Sequence, residues 1–373
     1  MKKDPELKIT IIGLGNLMEE VFPCISETVG KQNLPTQVNA TTADEADLKG
    51  KRERFGIEVI LSDNLAALKA MEPDLIFFAP PPSVAPKLIE TELRAYFDYV
   101  RENKLTLPDI FAFPPVPAGK VYYQHLGEDI NVMRIIPSAL KSIGGVTMST
   151  PALATAEKPW PKELHERTHR IWAVQNGLSE LPSEMLLSVL AAGIMSTVTP
   201  EMTLDMADIL KRQNSPINYQ DLASYMRARH QQVRNFSREE SLSCSLDAVT
   251  GPLCQVLDAI VGAWFAGILD FASQAKLPDR LAEVMVTNTL DTMLWFAQAE
   301  PPEAIKRHSE VSATKGGVLE KGLMVYQEVI SPFIEKKLAS LTAPVDDHWR
   351  NQLSELVSQG AKTVLEHGKM LDN

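Results

Sequence analysis

The residues near the start of the chain with the most chemical potential are Gly13-Leu14-Gly15-Asn16-Leu17-Met18. They stand between an apolar run, Leu7 to Ile12, and a helical pattern. Two glycines so placed allow a tight turn and let the backbone approach a pyrophosphate. A helix starting there adds free N–H groups and the positive end of its dipole. The third glycine of the usual Gly-x-Gly-x-x-Gly pattern is Met18 here. That glycine serves helix–strand packing, so its loss bears on helix placement more than on phosphate contact. Gly13, Gly15, Asn16 and Leu17 are the expected pyrophosphate contacts; the alternative is a tight turn without a ligand.

The second place to look is the end of the next strand, where an acidic residue about 20 residues on binds the ribose hydroxyls of NAD. Here the chain reads Val38-Asn39-Ala40-Thr41-Thr42-Ala43-Asp44. Asn39, Thr41 and Thr42 are neutral hydrogen-bonding groups that tolerate a 2′-phosphate. Lys49, Lys51, Arg52 and Arg54 follow as phosphate partners, although a solvated helix end explains each of them equally well. NADP is therefore the expected cofactor, and NAD stays open because Asp44 fills the acidic role if the strand runs on.

Other chemistries lack their residues. The seven histidines form no His-x-x-His or His-Glu-x-x-His pattern. His165 and His169 share helical i, i+4 spacing, but in a charged segment expected to be exposed, so no metal site is expected. There is no Gly-x-Ser-x-Gly elbow and no Gly-Lys-Ser/Thr phosphate loop. Cys24, Cys244 and Cys254 form no Cys-x-x-Cys pair and read as reduced thiols of a cytoplasmic protein. A net charge of −11 argues against nucleic acid or an anionic membrane as partner. The start, Met1 to Pro5, runs into a strand without a long apolar signal region. Val256 to Ala272 is apolar but carries Asp258 and Asp270, which suits a buried helix better than a membrane span.

Elements must hold these residues in place, and the 373 residues suffice for two domains. Six apolar runs, at 7–12, 36–42, 57–61, 74–79, 109–113 and 131–136, alternate with helical patterns, as βαβ units on a parallel sheet do. Asp74-Leu75-Ile76-Phe77-Phe78-Ala79 is apolar almost throughout, the mark of a strand covered on both faces. After Pro151 the pattern turns helical: 186–195, 253–275, 280–298, 322–339 and 349–370 carry apolar residues at helical spacing. A polar stretch from Lys211 to Ser245 holds Arg227, Arg229, Arg234 and Arg238 and reads as a solvated helix face or an inserted hairpin. The expected fold is a doubly wound Rossmann domain over 1–152, then a helical domain over 153–373 with an insertion near 205–247. The dense apolar stripes of 253–298 suggest a homodimer core built from the C-terminal helices.

Several segments taken in order resemble the pyrroline-5-carboxylate reductase family. Gly13-Leu14-Gly15-Asn16-Leu17 is similar to its Gly-x-Gly-Asn-Met turn, and Ser62-Asp63-Asn64 to its Asp-Asn pair near the cofactor. Phe78-Ala79-Pro80-Pro81 is similar to its Ala-x-Lys-Pro loop, with Pro80 where lysine is usual. Ala118-Gly119 and Arg134-Ile135-Ile136-Pro137-Ser138 resemble its Ala-Gly and Arg-x-Met-Pro-Asn segments, followed by Gly144-Gly145-Val146-Thr147. Leu277-Pro278 resembles the end of its long central helix. Val311 to Leu319 lines up with its Thr-Ser-Pro-Gly-Gly-Thr-Thr loop: Thr314 takes the serine place and Gly316-Gly317 the glycines, while the hydroxyls expected at 313, 318 and 319 are gone.

The resemblance implies a Rossmann domain followed by a dimerising helical domain, the active site between Rossmann loops and helices, and hydride transfer from NADPH to a small cyclic imine. It assigns Asn64, Ala79, Pro80 and Pro81 to the cofactor's edge. It assigns Ser138, Gly316 and Gly317 to the substrate and Thr314 to the catalytic loop, where Lys315, a departure from the family pattern, is either an added cation for a carboxylate or a solvent-facing loop lysine. A buried ligand group left unpaired costs about 1–3 kcal/mol, so the lost hydroxyls point to a changed or more apolar substrate, a bulkier imine or keto acid. A relative that binds nucleotide or a partner without imine reduction is the other alternative. The family's second substrate segment has two rival placements, Val249-Thr250-Gly251-Pro252 and Ser196-Thr197-Val198-Thr199-Pro200.

Overall fold

The computed structural model describes residues 6–31, 35–137, 152–172, 178–234, 251–313, 315–341 and 345–372. The apolar runs become the strands of a sheet: β1 (Leu7–Ile12), β2 (Thr36–Thr42), β3 (Glu58–Leu61), β4 (Leu75–Phe78), β5 (Asp109–Ala112) and β6 (Val132–Ile136). All six run parallel in the order β3-β2-β1-β4-β5-β6. This is the doubly wound Rossmann order, with its direction of winding reversed between β1 and β4. Every residue of β4 is buried, as a strand covered on both faces requires.

The crossovers are α1 (Asn16–Lys31), α2 (Leu48–Phe55), α3 (Asn64–Met71), α4 (Ala85–Leu88), α5 (Arg94–Glu102) and α6 (Gly119–Leu126), with a π-turn over Ile89–Leu93 joining α4 to α5. Alternating side chains feed two cores. Ile9, Ile11, Phe77 and Phe111 pack with Met18 and Trp172 on one face, and Ile12, Ile76, Phe78 and Ile110 pack with Phe97 and Tyr122 on the other. Met18, which stands where a packing glycine is usual, is itself fully buried in the first core.

The sheet does not stop at residue 152, where the sequence closes the domain. β7 (Ala152–Thr155) pairs antiparallel with β6, α7 (Lys162–Ile171) follows, and β8 (Leu178–Glu180) pairs parallel with β7. The first compact unit therefore extends to Leu186. Short, proline-flanked strands carry too few residues to announce themselves by periodicity, which is why the boundary moves.

The second unit is helical: α8 (Leu186–Thr197), α9 (Thr199–Arg212), α10 (Tyr219–Arg234), α11 (Gly251–Gln274), α12 (Asp279–Ala299), α13 (Pro302–Ser312), α14 (Val318–Val325), α15 (Ser331–Leu338) and α16 (Asp347–Asp372). Stretches 183–212 and 251–274 are long and apolar enough to cross a bilayer. In α11, however, Leu257, Ile260, Trp264, Ile268 and Phe271 are buried inside the protein, and Trp264 Nε1 donates to the Met195 carbonyl at 3.0 Å. A Cβ on Gly267 would lie 2.4 Å from the Ser354 carbonyl oxygen, so only glycine lets α11 and α16 approach so closely. Within the stretch expected as an insertion, near 205–247, α9 and α10 pack on each other and on α12, while 235–250 lie outside the described residues. Two of its arginines are not simply solvated. Arg229 and the Tyr225 hydroxyl bind Asp258 of α11 at 2.5 and 2.6 Å, and Arg227 donates to Gln298 at 2.8 Å.

Candidate functional site

β1 delivers the chain to Gly13 at the carboxyl edge of the sheet, beside the point where the winding reverses. Gly13 has φ +90°, and a Cβ there would lie 2.8 Å from the Ala79 carbonyl oxygen and 3.0 Å from Pro80 N. Glycine at 13 is thus demanded by the protein's own backbone. Gly15 is different: a Cβ on it would meet nothing within 4 Å. Gly15 and Asn16 are exposed and Leu17 half-buried as α1 begins, its first turn closed by Glu19 N–H to Gly15 O at 2.9 Å. An open glycine that internal packing does not require, at the start of a helix on this edge, is the arrangement that lets a phosphate meet backbone N–H groups.

The turn is held from below. Leu14 N–H donates to Thr41 O at 2.7 Å and Gly13 N–H to Thr41 Oγ1 at 3.3 Å. Thr41 Oγ1 in turn donates to Asn64 Oδ1 at 2.5 Å. Two residues back on β2, Thr10 Oγ1 donates to Asn39 Oδ1 at 2.8 Å and Asn39 Nδ2 to Ala67 O at 2.9 Å. Asn39, Thr41, Thr42 and Asn64 are all buried. Expected at the adenosine ribose and the cofactor's edge, these side chains are instead engaged inside the protein: Thr41 and Asn64 brace the turn, Asn39 joins β1 to α3, and Thr42 Oγ1 accepts from Asp44 N at 3.2 Å. The face that each strand side chain presents is fixed by the pleat. Of the loop after β4, Pro81 is exposed, Ala79 half-buried and Pro80 buried. The Pro81 carbonyl accepts from Val84 and Ala85 at 3.0 and 3.1 Å, which starts α4.

The basic run after β2 is already matched. Lys51 is buried and binds Glu19 of α1, with Asp44 at 3.6 Å and Asp47 at 3.9 Å. Arg54 binds the same Glu19 and, at 2.7 Å, Asp47. Arg52 donates twice to the Val59 carbonyl, at 2.9 and 2.6 Å, clipping α2 to β3. Lys49 is exposed and pairs with Glu53 at 3.7 Å. Around the tip of β2, Glu19, Asp44 and Asp47 therefore outnumber Lys51 and Arg54. Asp44 lies two residues beyond the last residue of β2, with its side chain half-exposed.

Of the expected substrate residues, Ser138 and Thr314 lie outside the described residues, as do 144–147. Lys315 and Gly316 are exposed, Gly316 with φ +74°, and Gly317 is buried at the N-terminus of α14. Gly316 N–H donates to Glu320 Oε2 at 2.6 Å, and Gly316 O accepts from His367 Nε2 at 3.0 Å. A carboxylate of the chain itself thus sits on a backbone N–H that the family resemblance reserves for a substrate carboxylate. Glu320 escaped the sequence reading, though Gly317-x-x-Glu320 has the spacing by which a glutamate at the third helical position reaches back over a helix start.

A second group also escaped it. Glu180 of β8 lies against His165 and His169 of α7, three potential metal donors within 4.8 Å of one another. Helical spacing signalled the histidine pair, but only the pairing of β8 with β7 brings the carboxylate.

No protein-family profile matches the chain, and no curated protein matches it. Among solved structures, it is similar to the NADP-bound pyrroline carboxylate reductase of Plasmodium falciparum, at 11% identity and TM-score 0.42 over 98% of each chain. It is similar to pyrroline-5-carboxylate reductase from Coxiella burnetii at 15% identity and TM-score 0.45, over 82% of this chain and 98% of that one. It is also similar to the prephenate dehydrogenase of A. aeolicus, in complex with hydroxyphenyl propionate and NAD+, at 13% identity and TM-score 0.41 over 91% and 96%. Likeness at this level bears on nothing finer than the Rossmann fold, which the strand order already establishes.

Proposed function

We propose that the chain is a nicotinamide-dinucleotide-dependent oxidoreductase that reduces a C=N or C=O bond of a small molecule. The observation that carries this reading is the contrast at the first turn. Gly13 is required by the backbone of β4's end, while Gly15 leaves an open backbone surface at the start of α1, on the carboxyl edge of a β3-β2-β1-β4-β5-β6 sheet. When bound, a reduced nicotinamide supplies the hydride. The protein's part is to seat the pyrophosphate on Gly15 and Asn16, to hold that turn rigid through Thr41 and Asn64, and to meet the adenosine ribose at the tip of β2.

Charge at that tip favours NAD(H) over NADP(H). A 2′-phosphate brings roughly two further negative charges to a place where three carboxylates already face two cations, both of them ion-paired. The half-exposed Asp44 takes the position of the acidic residue that binds ribose hydroxyls.

The substrate reading is an imine or keto compound of the pyrroline-5-carboxylate kind, with a more apolar relative favoured. Glu320 occupies the Gly316 N–H, and residues 313, 318 and 319 bring no hydroxyl. A homodimer through the helical unit belongs to the same reading on the family resemblance alone, because the apolar face of α11 is buried within one chain.

The test is NADH binding by fluorescence titration with wild type and Gly15→Val, followed by initial rates on pyrroline-5-carboxylate and on a cyclic imine lacking the carboxylate. Because nothing lies within 4 Å of a Cβ at 15, the variant should keep its melting temperature while losing at least tenfold in NADH affinity. Unchanged affinity would remove the dinucleotide site, and no hydride transfer to either imine despite tight NADH binding would remove imine reduction.

A further inference from the structure

α7 sets His165 and His169 one turn apart, so both imidazoles leave the same face of the helix. Their ring centroids are 4.4 Å apart, and both Nε2 atoms converge on one oxygen, Glu180 Oε1, at 2.6 and 2.8 Å. Donors around a tetrahedral zinc with bonds of ~2.0–2.1 Å stand about 3.3 Å from one another, so these nitrogen–oxygen contacts need open by only about 0.5 to 0.7 Å to admit an ion.

We propose that His165, His169 and Glu180 form a binding site for one divalent transition-metal ion, zinc(II) being the best match. The donor set selects the metal class. Two imidazole nitrogens suit zinc, nickel or copper and are poor ligands for magnesium or calcium. A single carboxylate beside two neutral imidazoles leaves one negative charge, which a divalent ion more than balances.

Both supports of the site are fixed before any ion arrives. Leu164, Thr168 and Ile171 anchor α7 on its buried side, with Thr168 Oγ1 bonded to Leu164 O at 2.7 Å. The backbone of Glu180 is registered against Ala154 of β7, and Leu181 N–H continues the pairing to Ala154 O at 2.8 Å. Donors carried on a packed helix and a paired strand need little reordering. The three side chains are 43%, 39% and 46% exposed, so the remaining coordination positions are open to water or a small anion. An ion there ties the outermost strand of the sheet to α7. This proposal does not depend on the dinucleotide reading.

The experiment uses the full chain without a polyhistidine tag, stripped with a chelator and desalted. Zinc is titrated calorimetrically, and cobalt(II) by its visible absorption, which reports tetrahedral coordination. Expected are one ion per chain at micromolar zinc, a higher melting temperature with zinc, and at least a tenfold loss of affinity in His169→Ala and in Glu180→Gln. Circular dichroism verifies that the variants keep their fold, as surface substitutions should. Absence of saturable binding at micromolar zinc would overturn the proposal. So would binding of the same affinity in the His165→Ala/His169→Ala double variant, which would place the ion elsewhere.

Discussion

At the scale of single residues, the proposed dinucleotide reading places the choice between NADH and NADPH at the tip of β2. Asp44 is the exposed member of a group in which Glu19, Asp44 and Asp47 surround Lys51 and Arg54. Asp44→Asn removes one negative charge close to the place a 2′-phosphate would take. A charge pair in such a half-exposed setting contributes about 1 kcal/mol, roughly fivefold in a binding constant. NADPH affinity relative to NADH should therefore rise about fivefold in this variant, measured by paired titrations at low salt. An unchanged ratio would mean that the ribose lies away from Asp44. Lys51 itself is not a candidate for the same experiment. It is buried among its partners, and removing it would leave Glu19 with Arg54 alone and upset the fold before it reported on the cofactor.

Among the elements, α13 carries a titratable group where solvent cannot reach it easily. His308 packs edge-on against Phe296 at 5.0 Å, its Nδ1 lies 3.2 Å from Ser312 Oγ, and burial lowers its pKa below the ordinary 6.5. The folded protein then resists a proton that the unfolded chain accepts. Stability from this residue is complete above 6.5 and falls as the pH drops towards the lowered folded-state value. The melting temperature should decline from about pH 7 to about pH 5, and His308→Gln should flatten that decline. An equal slope in the variant would assign the pH dependence to other groups.

Elements are also where the sequence was most and least readable. The six parallel strands were legible because strands covered on both faces read as unbroken apolar runs. The long helices were legible because a packed face repeats every three to four residues. Inward and outward faces at the end of β2 and the start of α3 were not, since Asn39, Thr41 and Asn64 are equally suited to a ligand or to a buried hydrogen-bond network. Nor were the partners of charges legible. Arg229 with Asp258, Lys51 with Glu19, and Glu180 with its histidines are joined across long separations by tertiary packing alone.

At the scale of the whole molecule, the chain divides into a sheet-bearing unit and a helical unit, and the sequence argument for a dimer changes its footing. The apolar stripe of α11 does not wait for a second chain, because α10, α12 and α15 cover it. If the homodimer reading holds, light scattering on the purified protein gives twice the 41.3 kDa chain mass across a tenfold dilution. A mass of one chain would retire the dimer and leave the fold untouched.

The sheet itself has a bearing on how other chains can meet it. Its outer strands are β3, with four residues, and β8, with three. A peptide that recognises proteins by zipping its backbone along a sheet margin finds only a few donors and acceptors at either end, too little for a stable added strand. Runaway strand-to-strand stacking is discouraged for the same reason. Recognition at these two margins, as far as the described residues extend, is therefore written in side chains rather than in main-chain ladders.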